Sequence, residues 1–177
     1  PVFPGPLRAM REPLVPPTVS VRDRIAAFPT EALAVERPVV IRWNEHQVPF
    51  IEAETDRDLV FALGMVHAHL RLGQLAVFKR FFYGRLSEMA WPFARDIDHA
   101  SRILDYGHAA DEWERRMPDE TRAWVHAFVD GLNAYQDRAT QLPPEFKLMG
   151  IRPEPFTFRD ILVGSRFAGT DFTWLTY

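Results

Sequence analysis

The sequence predicts an α+β fold that is mostly helical, with one β-hairpin near its N-terminus. Three observations predict it. Residues 56–83 run without a proline, carry apolar side chains on most faces, and end at Gly84. Val39 to Trp43 and Val48 to Ala53 are apolar, β-branched runs joined by the polar stretch Asn44-Glu45-His46-Gln47, which is the pattern of a hairpin. Trp124, Phe128, Leu132 and Tyr135 follow one another at four, four and three residues, the stripe of an amphipathic helix.

Taken in order, the chain begins with Pro1, Pro4, Pro6, Pro13, Pro16 and Pro17, six of its 15 prolines. Proline fixes φ and removes a donor, so this stretch reads as an irregular arm along a surface. Val19 to Phe28 follows as a short helix stopped by Pro29, and residues 1–35 form the arm segment. Residues 36–177 form the main body. The hairpin occupies about 39–53, and Pro49 makes its strand an edge or pairs it on one side only. Thr55 and Asp58 have capping-box spacing, with aspartate in place of glutamate, and open the helix 56–83. Helices are expected at 97–104, 109–116 and 118–140, the last with Pro118 at its first position. Pro143-Pro144 breaks the chain, and a linker with Pro153 and Pro155 follows. Thr157 and Asp160 repeat the capping-box spacing ahead of a final helix, 158–175.

A helix apolar nearly all round is buried nearly all round. A chain of 177 residues has little else with which to cover 56–83. The apolar end Phe172-Thr173-Trp174-Leu175-Thr176-Tyr177 and a first residue that is proline rather than methionine point the same way. The chain is therefore expected to be processed, truncated or only partly numbered, a piece of something longer.

Composition excludes several classes. With 24 acids against 21 bases the net charge is −3, unfavourable for phosphate backbones. A hydrophobic content of 47% argues against disorder. No apolar run approaches the ~18 residues of a membrane span. The absence of cysteine removes disulfides, thiolate metal sites and a cysteine nucleophile.

No self-contained catalytic constellation emerges. His67 and His69 are two apart, about 200° round a helix, so one metal ion cannot take both. The chain's four serines are Ser20, Ser87, Ser101 and Ser165, and Gly164-Ser165-Arg166 lacks the second glycine and the preceding strand of a nucleophile elbow. Glu52 and Glu54 are two apart and share a strand face, which reads as a solvated face rather than an acid–base pair. Glu145, Asp160, Asp171 and the Asp96/Asp98 pair are each calcium-ligand candidates by chemistry, but no Asp-x-Asp-x-Asp-Gly loop is present to make a self-contained EF-hand.

Ordered along the chain, Val48-Pro49-Phe50-Ile51-Glu52-Ala53, then Asp58-Leu59-Val60-Phe61-Ala62-Leu63-Gly64-Met65-Val66-His67-Ala68, Arg71-Leu72-Gly73-Gln74-Leu75, Lys79-Arg80 and Gly84-Arg85-Leu86-Ser87-Glu88 form one set of blocks. Gly131-Leu132-Asn133-Ala134-Tyr135, Leu142-Pro143-Pro144-Glu145-Phe146 and Pro153-Glu154-Pro155-Phe156 continue it. Together these resemble the α-chain of the penicillin acylase family of N-terminal-nucleophile hydrolases, over about residues 36–175. The departures are Gln47 for the family's glycine, Phe50 for a frequent histidine, and His69-Leu70 for Gln-Asp. Glycine tolerates φ > 0, so Gln47 implies either a different turn or roughly 1 kcal/mol of strain.

The resemblance implies an autocleaved precursor. Its β-chain carries an αββα sandwich that the hairpin helps complete, and that chain begins with the nucleophile, whose own α-amine acts as base. The reaction implied is hydrolysis of an acyl amide through an acyl-enzyme, in a periplasmic or secreted protein. No catalytic residue is then expected in this chain. The last helix is expected to help wall the acyl pocket, through Phe167, Asp171 and Trp174 or through Arg166 and Thr170. No cofactor is needed for the chemistry. A structural calcium ion is implied for some members, and Asp171 is the one charged substitute for their glutamate. The expected partners are the β-subunit from the same precursor and a small N-acyl amide, with no nucleic acid and no membrane span. The alternative, favoured by the residues without the resemblance, is a helical scaffold or interaction subunit without activity.

Overall fold

The computed structural model describes residues 19–90 and 92–175, without the side chains of Ala90 and 171–175. The proline-rich arm expected over 1–17 lies outside the described residues. The remainder is α+β: a hairpin, helices and one 3₁₀ turn. Two compact units share it. Described residues up to Leu72, with Pro118–Leu142, form the first; Gly73–Met117, with the described residues from Pro143 onward, form the second.

In the first unit, α1 (Val21–Ala26) starts where the Ser20 hydroxyl accepts the Asp23 amide at 3.1 Å. Strands β1 (Val40–Trp43) and β2 (Pro49–Glu52) pair antiparallel, with Ile41 opposite Ile51 and Arg42 opposite Phe50. Among the described residues only two strands make this sheet, which leaves Pro49 on an edge, where its missing N–H costs no ladder bond. Asn44 closes the turn: its Oδ1 accepts the amides of His46 and Val48 at 3.0 and 2.8 Å. Gln47 adopts φ +60°, so the chain keeps the left-handed turn and takes the strain that glycine would avoid. The Gln47 side chain accepts from Arg24. Glu54 lies past the end of β2, which corrects the shared strand face expected for Glu52 and Glu54; Glu52 instead pairs across the hairpin with Arg42.

Helix α2 (Asp56–Phe82) is interrupted at Arg71, whose φ of −141° is not helical. Thr55 caps it by accepting the Asp58 amide at 3.1 Å. The fully buried Asp58 carboxylate accepts the amides of Glu36 and Arg37 at 2.9 and 3.0 Å, fastening the incoming chain to the helix start. Burial alone would raise the Asp58 pKa, but these hydrogen bonds bring it below the usual carboxylate value. Helix α2 is long and apolar enough to cross a membrane, yet more than half of its most apolar window is buried within the protein, as in a core helix. Helix α6 (Asp119–Arg138) packs against its first half. A Cβ on Gly64 would stand 2.2 Å from the Phe128 carbonyl oxygen, and one on Gly131 would stand 2.0 Å from that of Phe61. The two backbones touch at this glycine pair. Pro118 is the residue before α6 rather than its first residue.

The second unit holds the C-terminal part of α2, then α3 (Ser87–Ala90), a 3₁₀ turn (Pro92–Ala94), α4 (Arg95–Leu104), α5 (Ala110–Arg116), α7 (Pro144–Leu148) and α8 (Phe158–Leu175). Helix α4 begins two residues before its expected start. Short α3 and α7 carry no periodicity for a sequence reading to find, and Pro144 starts α7 rather than only breaking α6.

Candidate functional site

The N-terminus of α8 is fixed by charge and hydrogen bonds. Thr157 and Asp160 form the expected reciprocal cap: the Thr157 amide reaches Asp160 Oδ2 at 2.8 Å, and the Asp160 amide reaches Thr157 Oγ1 at 3.3 Å. The same buried carboxylate receives the Lys79 ammonium of α2 at 2.8 Å and the hydroxyl of Tyr83, the residue after α2, at 2.9 Å. Burial, with the adjacent Asp160 charge, raises the Tyr83 pKa well above that of a free phenol, so Tyr83 remains a donor. Lys79 also donates to the Pro155 carbonyl at 2.6 Å. Glu154, in the stretch expected to be a linker, meets Arg80 at 2.8 Å and both amino groups of Arg85. The segment before α8 is therefore bonded along its length to α2.

With its start fixed, α8 presents Phe167 to three rings: Phe82 at 5.1 Å, Phe81 at 5.2 Å and Tyr106 at 5.5 Å between centroids. Phe78 stacks on Phe82, 5.9 Å away and 7° from parallel. Tyr106 is buried, Phe81, Phe82 and Phe167 are half-buried, and Phe78 is 39% exposed. The cluster is a wall of aromatic rings, open at one side.

Arg166, the next residue on α8, points elsewhere. Its Nη1 donates to the carbonyls of His108 and Asp105, at 2.9 and 3.4 Å, and its guanidinium lies over Trp113. Those carbonyls follow the C-terminus of α4, so Arg166 is an anchor between α8 and this turn. The Thr170 hydroxyl donates to the Arg166 carbonyl at 2.9 Å, a bond inside the helix. Of the sequence-derived candidates, Phe167 joins the wall, while Arg166 and Thr170 have their polar groups engaged by backbone. Asp171 and Trp174 lie on α8, but their side chains fall outside the described residues. Phe78, Phe81, Phe82 and Tyr106 were not among the candidates. The Phe78 and Phe82 spacing of four residues is a helix-face signal, but nothing in the sequence tied it to Phe167.

The other candidates are dispersed. His67 Nδ1 bonds the Leu63 carbonyl at 2.9 Å, whereas His69 Nδ1 bonds the Tyr135 hydroxyl at 3.0 Å within a cluster of Phe28, Trp43 and Tyr135. Burial, then the nearby Arg24 charge, brings the His69 pKa down to about 4. Ser20 caps α1, and Ser165 donates to the Ile161 carbonyl at 2.8 Å. Asp98 accepts the amides of Leu86 and Ser87 at 2.6 and 2.9 Å. Among the described residues no three acidic or imidazole side chains gather to hold a metal ion. They do not fit a self-contained calcium site, for which six to eight oxygens are required.

The family model described as penicillin amidase matches residues 38–176. The chain is 36% identical over 141 residues to acyl-homoserine lactone acylase QuiP of Pseudomonas aeruginosa, covering 79% of this chain and 16% of that protein. It is 31% identical over 119 residues to penicillin acylase 2 proenzyme of a Pseudomonas species, covering 67% and 15%. The chain thus spans about a sixth of the length of these relatives. In structure it is similar to thermostable penicillin G acylase from Alcaligenes faecalis, with a TM-score of 0.68 at 22% identity, over 77% of this chain and 74% of that one.

Proposed function

The chain belongs to the penicillin amidase family, and from that premise we propose that it is the α-subunit of an autoproteolytically processed N-acyl amide hydrolase. Its role in the reaction is to wall the acyl pocket with α8. The observation that carries this reading is the half-exposed aromatic cluster of Phe167, Phe82, Phe81 and Phe78. Aromatic rings hold an apolar acyl chain by removing its surface from water, worth about 25 cal/mol per Å². Arg166 is bonded to two backbone carbonyls, which leaves it poorly suited to grip a carboxylated acyl group. The substrate class is therefore an amide with an apolar acyl part.

The resemblance supplies the rest. The nucleophile is the first residue of the β-subunit cut from the same precursor, and its α-amine, with an ordinary pKa of about 7.7–8.0, is the base. The nucleophile attacks the amide carbonyl, the amine departs, and water releases the acid from the acyl-enzyme. Calcium, if Asp171 binds it, takes its other ligands from outside this chain. The family likewise carries the proposal that the enzyme works in the periplasm or outside the cell.

The test uses the full-length protein. Mass spectrometry of the purified enzyme gives two chains, the second starting at serine, threonine or cysteine. The enzyme hydrolyses hexanoyl and phenylacetyl amides faster than the succinyl analogue, and Phe167→Ala raises KM for phenylacetyl amides. An uncleaved chain without amidase activity would instead identify a helical scaffold.

A further inference from the structure

We infer that Phe82 is a positioning residue for acyl selectivity, acting through Phe167, with Gly164 setting how closely it can approach. This rests on the reading that Phe167 faces the acyl group. Phe82 belongs to α2 and sits 85 positions before Phe167, yet its ring is the nearest of the three that surround Phe167. A half-buried phenylalanine on a helix has more than one staggered χ1 well available, and neighbouring rings choose between them. Phe81 and Tyr106 meet Phe167 edge-on, at 85° and 83°, whereas Phe82 lies at an oblique 42°. Removing Phe82 takes away the closest of these supports.

Gly164 provides the approach. A Cβ built there would stand 3.2 Å from Phe82 Cε2 and 3.7 Å from Cζ. The first distance is closer than an ordinary van der Waals contact. Phe82 therefore rests on the bare helix backbone three residues before Phe167. Phe78 stacks on Phe82, 5.9 Å away. Any alanine at Gly164 pushes Phe82 by a few tenths of an ångström, and the displacement reaches Phe167 through their contact. A misplaced wall weakens binding of acyl groups large enough to touch it, and leaves small ones nearly unaffected.

The experiment compares acetyl, hexanoyl and phenylacetyl amides of p-nitroaniline and of homoserine lactone, using the processed full-length enzyme. Phe82→Ala is expected to raise the KM ratio of phenylacetyl to acetyl substrates about tenfold, with a much smaller change in kcat. In a Phe167→Ala background, Phe82→Ala is expected to change that ratio by less than about twofold, because its effect passes through the missing ring. Gly164→Ala is a milder variant that keeps every side chain of the wall, and should shift the ratio in the same direction, about threefold. It supplies the answer if Phe82→Ala is not processed. A selectivity change that persists in full without Phe167, or an equal loss on all three acyl groups, overturns the inference. So does a Phe167→Ala effect with none from either Phe82→Ala or Gly164→Ala. If Phe167→Ala itself leaves all KM values unchanged, the fault lies in the pocket reading, not in the coupling of the two rings.

Discussion

Arg85 and Glu154 meet fork to fork, with Nη1 to Oε2 at 3.0 Å and Nη2 to Oε1 at 2.9 Å. Their parent segments, Gly84-Arg85-Leu86-Ser87-Glu88 and Pro153-Glu154-Pro155-Phe156, are nearly 70 residues apart in sequence. Planar guanidinium and carboxylate groups fix both distance and orientation, which lysine cannot do. Arg80 adds a second cation to Glu154, and Glu88 a second anion to Arg85. Arg85→Lys should therefore destabilise the processed enzyme nearly as much as Arg85→Ala, by about 1 kcal/mol, since the pair is partly solvated. A denaturation double-mutant cycle with Glu154→Gln measures the coupling. Values below about 0.3 kcal/mol would show that the fork does not hold the segment before α8.

The glycine contact between α2 and α6 gives a sharper prediction. At Gly131 an added methyl group would meet the Phe61 carbonyl at 2.0 Å, so the helices must separate to admit it. Alanine gains about 1 kcal/mol in helix propensity over glycine, but overpacking against backbone costs on the order of 1–3 kcal/mol or more. Gly131→Ala and Gly64→Ala should each lower stability, or prevent the protein from accumulating. Gly169→Ala, on α8 where a Cβ meets nothing within 4 Å, should be neutral or mildly stabilising. Thermal melts of the three variants check the order, and a Gly131→Ala melt matching that of Gly169→Ala would refute it.

These two contacts also mark the limit of sequence reading. Helix α2 was legible as a long proline-free apolar run, α6 by its apolar stripe, and all three of α2, α6 and α8 by Thr55, Pro118 and Thr157 at their starts. The hairpin was legible from two apolar, β-branched runs and the polar turn between them. Period says which face is buried but not which residue covers it, so Arg85 with Glu154, and Phe82 with Phe167, stayed separate until the chain folded. The break at Arg71 left no mark, because no proline or lone glycine precedes it there. Among the pocket candidates, Phe167 and Arg166 are neighbours in sequence but about 100° apart round α8, and only contacts reveal which one meets the rings.

His69 makes the first unit sensitive to acid. Its neighbours include Tyr135, Phe28 and Trp43, with the Arg24 cation nearby. The unfolded histidine has a pKa near 6.5 and the folded one about 4. Between those values the unfolded state binds the extra proton, so stability falls as pH drops from about 6.5 to 4 and is independent of this group above that window. The loss is on the order of 2 kcal/mol. Glutamine is the family's residue here and does not titrate, so His69→Gln should flatten the pH dependence in this window. Hydrogen exchange of the segment around residues 60–70, in the full protein at pH 7 and pH 5, reads it locally. Equal acid sensitivity of both proteins would assign the effect elsewhere.

A lower window belongs to the carboxylates. Arg85 hydrogen bonds hold Glu154 below the usual carboxylate range, against the opposing effect of burial. Burial raises Asp98, but hydrogen bonds from Ser87 and Leu86 outweigh it. For a depressed acid the stabilisation is present above the unfolded pKa, near 4 to 4.5, and is lost as pH falls through the lower folded value. The His69→Gln protein should therefore still unfold below about pH 4, and Glu154→Gln should remove part of that remaining slope. A Glu154→Gln protein with an unchanged acid limb would show that the Arg85 fork does not titrate with folding.

The serines test the proposed division of labour between this chain and its partner. Ser20 has its oxygen at the start of α1, and Ser165 has its hydroxyl on the Ile161 carbonyl. Ser101 is buried in α4, and Ser87 lies beside the Asp98 carboxylate that holds its amide. No imidazole is bonded to Ser20 or Ser165, and a nucleophilic hydroxyl needs a base within reach. Alanine at each of the four positions in turn should leave kcat of the processed enzyme within about tenfold, an effect under roughly 1.4 kcal/mol. Loss of a true nucleophile would cost several orders of magnitude. Ser101→Ala has the largest packing effect to fear, so each variant is first shown by mass spectrometry to be cleaved and by its melt to be folded. One that is cleaved, folded and inactive would put the nucleophile on this chain and overturn the assignment to the partner.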